Sequence, residues 1–138
     1  MDNNTGQMAP RYELENRFNT FSSDIYTGKY TLIQFWDSND ASSRIANKQL
    51  AKLSQNHRDK LNYAGVYTGS DETLFASALK ADKCDQSTQF NLSNSEVYNR
   101  LYADFSLASG NHCFLISPSG RIVAVNPSSS EIEHLINS

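Results

Sequence analysis

Hydrophobic positions fall unevenly along the chain, and their spacing predicts the elements. The first 30 residues are largely polar and close on Thr27-Gly28-Lys29-Tyr30, whose glycine marks a turn, so the stretch reads as a lead-in. Thr31-Leu32-Ile33-Gln34-Phe35-Trp36 is then a short apolar, β-branched and aromatic run, the pattern of a strand buried on both faces. Turn formers Asp37-Ser38-Asn39-Asp40 stop it. Ala46, Leu50 and Leu53 recur at helical spacing with Lys48, Gln49 and Lys52 between them, which predicts an amphipathic helix of about four turns with Asp40 as its N-cap. Leu61 to Tyr67 reads as a second strand, making a parallel strand–helix–strand crossover. Leu74, Phe75, Ala78 and Leu79 form a second helical stripe. Val97, Tyr98, Leu101, Tyr102 and Phe105 form a third, read as core, with Ser93 or Asn94 as its cap. The segment from Cys84 to Leu92 has room for a short strand. Cys113–Ile116 and Ile122–Val125 flank Ser117-Pro118-Ser119-Gly120-Arg121, where Pro118 presets φ and Gly120 closes the turn of an antiparallel hairpin. Ser130-Glu131-Ile132-Glu133 reads as a capping box opening a last helix with Ile132, Leu135 and Ile136 inward.

Composition narrows what such a chain does. With 138 residues it is one domain of ordinary size, divided here into a polar lead-in at 1–7, read as a trimmed linker, and a domain at 8–138. Twelve Lys and Arg against fifteen Asp and Glu give a net charge of −3, and no basic block exists to hold a phosphate backbone, so nucleic acid is not an expected partner. No apolar run approaches the roughly 20 residues that cross a bilayer, and Met1 to Gln7 lack the features of a secretory signal. Two cysteines, Cys84 and Cys113, make neither a disulfide scaffold nor a four-ligand zinc site. His57, His112 and His134 stand apart from any second ligand at metal spacing, so no metal and no cofactor are expected.

Three segments carry a family resemblance. Ala9-Pro10-Arg11-Tyr12-Glu13-Leu14 resembles the Ala-Pro-x-aromatic-x-Leu opening of TlpA/ResA-type thioredoxins. Gly28 to Trp36 is similar to their Gly-Lys strand ending in Phe-Trp, and Phe114 to Val123 to their Phe-Leu-Ile-Asp-x-x-Gly-Lys-Ile hairpin. The resemblance covers roughly residues 8 to 136 in order. It implies an α/β thioredoxin fold, a central mixed β-sheet flanked by helices, in a protein of cell redox homeostasis outside the cytoplasm, in the bacterial periplasm or anchored to a membrane.

The motif that carries the family's chemistry is altered. Phe35 to Arg44 aligns without a gap with the family's Phe-Trp-Ala-x-x-Cys-x-x-Cys-Arg, and the two cysteines become Asp40 and Ser43. Exchange needs a low-pKa thiolate at the helix start and a second thiol to resolve the mixed disulfide, and neither a carboxylate nor an unactivated hydroxyl supplies these. The family's cis-proline position is Asn111, where a cis bond would cost about 2.5 to 4 kcal/mol, so a trans bond is expected. The often acidic position before Phe-Trp is Gln34. The leading expectation is therefore a thioredoxin-like module without thiol–disulfide activity that binds a peptide or protein between Trp36, Asn39, Asp40 and Ala41 on one side and Asn111 and His112 on the other. The alternative is an atypical thiol–disulfide oxidoreductase or thiol peroxidase using Cys113, Cys84 or both, with His112 beside Cys113. Trp36 stands open between two roles, an exposed recognition residue and a ring packed beneath the loop.

Overall fold

A computed structural model of the protein describes residues 5–92 and 96–138. The chain opens with β1 (Glu13–Glu15) and β2 (Thr20–Ser22), a small antiparallel ribbon pairing Leu14 with Phe21. The Asn16 side chain closes its turn by accepting from the N–H groups of Phe18 and Asn19. Next come β3 (Tyr30–Trp36), α1 (Ala41–Asn56), β4 (Leu61–Tyr67) and α2 (Glu72–Asp82). A 3-10 turn leads into β5 (Gln89–Asn91), followed by α3 (Glu96–Asp104) and a second 3-10 turn at Leu107–Ser109. The hairpin of β6 (Cys113–Ile116) and β7 (Ile122–Val125) and the helix α4 (Ser129–Ile136) complete the chain. The main sheet runs β5-β4-β3-β6-β7, with β3, β4 and β5 parallel, β6 antiparallel to β3, and β7 antiparallel to β6. This is the expected mixed sheet between helices.

The central strand explains the two-sided core. Alternate residues of β3 point to opposite faces. Ile33 and Phe35 pack with Leu14, Phe90, Leu101, Phe105 and Phe114. Leu32 packs on the other face with Leu50 and Ala51 of α1 and Ile132 and Ile136 of α4. Both faces are therefore dry, as the unbroken apolar run of this strand requires.

Beneath α1 lies a buried polar chain that joins four elements. The Trp36 indole N–H donates to Gln89 Oε1 at 3.1 Å, and Gln89 Nε2 donates to Asn47 Oδ1 at 3.2 Å. The Tyr63 hydroxyl donates to the same Asn47 oxygen at 2.6 Å. Gly65 makes the space: a Cβ there would overlap the side-chain amides of both Asn47 and Gln89.

The structure corrects the sequence reading in three places. The stretch before Tyr30 is not simply a lead-in, because β1 and β2 form there and bury Tyr12 and Leu14. Gly6 and Gln7 also hydrogen-bond to Ile122, so the described part of 1–7 lies against β7. The last capping box is Ser128 with Glu131, two residues earlier than expected: Ser128 with Glu131 and Ser130 with Glu133 both fit the pattern, and the frame that turns Ile132 and Ile136 inward wins. The cap proposed for α3 at Ser93 or Asn94 lies outside the described residues.

Gly65→Ala is expected to destabilise the protein by about 2–4 kcal/mol in urea unfolding, through overpacking and the loss of buried hydrogen bonds. A loss below about 0.5 kcal/mol would mean that the chain of hydrogen bonds rearranges freely.

Candidate functional site

The site grows from the end of β3 and the start of α1. Asp40 has extended backbone and accepts from the Ser43 N–H, so it caps the helix as its type and position predict. Its Oδ1 also accepts from the Ser42 hydroxyl at 2.9 Å. The Ser42 hydroxyl and the Ser43 N–H, aided by the charge of His112, hold the Asp40 carboxyl below the usual carboxylate range. The Ser43 hydroxyl accepts from the Asp37 N–H at 3.0 Å and donates toward the carbonyls of Asp37 and Asp40. It fastens the turn, and among the described residues its hydrogen-bond partners are backbone groups.

The facing wall is the loop entering β6. Asn126, with φ of 51° in the left-handed region, accepts from the N–H groups of His112 and Cys113. The His112 carbonyl in turn accepts from the Phe35 N–H at 2.8 Å. His112 is thereby fixed by its backbone while its ring stands exposed, 3.5 Å from the buried Gln34 amide. No peptide bond among the described residues is cis, so the bond before Asn111 is trans as expected.

Between these walls lies a groove of about 410 Å³. Trp36, Asp40, Asn111 and His112 line it, whereas Asn39 and Ala41 are exposed but do not. Trp36 is only 1% exposed, locked by its hydrogen bond to Gln89 and by Tyr67 and Phe75, whose ring centroids lie 4.9 and 5.9 Å away. It belongs to the floor, packed beneath the loop. Of the two tyrosines expected in the core, Tyr98 packs against it at its edge and also lines the groove, whereas Tyr102 is 41% exposed and lines the groove. Their helix divides its stripe between the core, which takes Leu101, and the groove. Apolar residues at helical spacing give no sign of that division.

The thiols sit elsewhere. Cys113 is buried, faces Gln34 across the sheet and does not line the groove, and burial pushes its thiol up to about 12. Only the Phe114 N–H acts against that burial, and His112 is not among the groups that lower the thiol. Cys84 is half-buried, near the Asn47 amide, and burial raises its thiol as well. Both are free cysteines. Among the described residues no cluster of three His, Cys, Asp or Glu side chains is placed to hold a metal ion.

Neither a scan against protein-family models nor a search of the curated proteins finds a match. The solved structures do. A thioredoxin-like protein from Parabacteroides distasonis is 32% identical, with a TM-score of 0.83 over 99% of this chain and 97% of that one. The chain belongs to the thioredoxin-like family. The thioredoxin domain of a thiol-disulfide oxidoreductase from Bacteroides vulgatus matches this thioredoxin-like domain at 25% identity and a TM-score of 0.82, over 97% of this chain and 99% of its own. A thiol:disulfide interchange protein from a Bacteroides species shares the fold at 24% identity and a TM-score of 0.82, over 100% of this chain and 93% of its own.

At pH 8 a thiol titrating near 12 is thiolate in only about one molecule in ten thousand. Iodoacetamide is therefore expected to label Cys113 at least about 100-fold more slowly in native protein than in urea, with Cys84 between the two. Equal native and denatured rates for Cys113 would contradict its burial.

Proposed function

We propose that this thioredoxin-like domain binds an extended peptide or protein segment in its groove and performs no thiol–disulfide exchange. The observation that carries this reading is the pair Asp40 and Ser43 at the motif positions, each occupied in hydrogen bonds that build the helix start. A disulfide substrate seated there meets a carboxylate where exchange needs a thiolate. The alternative, an oxidoreductase or peroxidase running on Cys113 or Cys84, has burial against it: both thiols are raised rather than lowered, and the more buried one lies off the groove. We also propose an extracytoplasmic location, which rests on the TlpA/ResA resemblance. Among the described residues no helix is long and apolar enough to cross a membrane.

Two assays test this function together. With dithiothreitol as reductant, the protein is expected to leave the rate of insulin-disulfide reduction at its protein-free value. A pool of cysteine-free heptapeptides is expected to bind, with Tyr102→Ala and His112→Ala each weakening binding several-fold, the scale of one interface contact. Catalysed insulin reduction, or peptide binding indifferent to both substitutions, would overturn the reading.

A further inference from the structure

We propose that the groove selects a segment carrying a lysine or arginine side chain, the cation lying between Asp37, Asp40 and the rings of Tyr98 and Tyr102. This rests on the peptide-binding reading and adds the chemistry of the partner.

The charges point this way. Asp37 and Asp40 line the groove, and no lysine or arginine does; His112 is the one basic side chain there. Neither carboxylate forms an ion pair among the described residues. Arg44, the cation in the first turn of α1, is drawn off by Asp82, with Nε to Oδ2 at 2.9 Å and Nη2 to Oδ1 at 3.1 Å. That bidentate pair keeps Arg44 from neutralising the carboxylates.

The helix start would by itself favour an anion, because its N–H groups and dipole are positive. Here Asp40 already occupies that end, through Ser43 N–H and the Ser42 hydroxyl, and both bonds fall on Oδ1. The helix therefore keeps Asp40 ionised while Oδ2 takes no part in either bond, so an anion site has become a cation site. Asp37 accepts at Oδ1 from the Asn39 N–H, and it lines the groove together with Tyr98.

The aromatic wall adds the second attraction. Tyr98 and Tyr102 meet edge to face with centroids 5.9 Å apart, and tyrosine faces attract lysine and arginine heads. Phe35, Ala46 and Leu107 supply apolar surface for the methylenes of such a side chain.

The test uses the whole chain and three acetylated, amidated heptapeptides alike except for a central lysine, norleucine or glutamate, titrated with amide chemical shifts as readout. At low salt the lysine peptide is expected to bind about fivefold tighter than the norleucine peptide, with the glutamate peptide weakest and the shifts centred on Ala46, Tyr102 and His112. Asp40→Asn, which keeps a capping side chain, is expected to erase most of the lysine advantage, as is about 1 M salt. Equal or tighter binding of the norleucine or glutamate peptide at the same residues would overturn the cation preference and leave the peptide-binding reading standing. Absence of binding by all three at about millimolar concentration would overturn both.

Discussion

The indole N–H of Trp36 reaches Gln89, whose amide reaches Asn47, which also receives the Tyr63 hydroxyl, and the groove stands on this chain. Its members come from β3, β5, α1 and β4, so one set of buried hydrogen bonds fixes the strand that ends at the site and the helix that begins there. In a low-dielectric interior each such bond counts for more than it would in water, and an unpaired member is costly. Gly65 is the constraint that admits the amides, and no other residue type leaves that space. With Trp36 committed below, the proposed recognition falls to other residues that line the groove: Asp40, His112 and the two tyrosines.

On the proposed reading, the chemistry is altered at the start of α1 by few changes. In the family this site resembles, the helix end steadies a thiolate; here the same N–H groups steady the Asp40 carboxylate. The electrostatics are alike, since both groups are anions at a positive helix end. Their reactivity is not, because a carboxylate does not exchange with disulfides. On the proposed reading the groove keeps its shape and charge logic while its covalent step is gone, and what remains is recognition.

Much of this was legible in the sequence because it rests on strong local signals. The run Thr31 to Trp36, the cap at Asp40 and the Pro118–Gly120 turn each have one physical reading, and each stands where expected. The ribbon of β1 and β2 was hidden because three-residue strands are too short for alternation to show, and Leu14 alone carries the burial of β1. Trp36 was ambiguous because a strand buried on both faces gives no sign of what covers each residue. Tyr102 looks like core in the sequence because core and groove wall share one helical stripe, with Tyr98 at the edge of both. Gln89 and Asn47 gave no signal, since their role appears only when four distant elements meet.

The central claim is that an intact thioredoxin-like frame carries two substituted side chains where its redox chemistry would be. The most direct measurement is a glutathione redox titration, read by intact mass, of the native protein beside the Asp40→Cys/Ser43→Cys double variant. The variant is predicted to lose two hydrogens reversibly at a defined potential as an intramolecular disulfide forms, and the native protein is predicted to show no redox-dependent mass. A native protein that cycles through Cys84 and Cys113, or a folded variant that stays a dithiol throughout, would contradict the account.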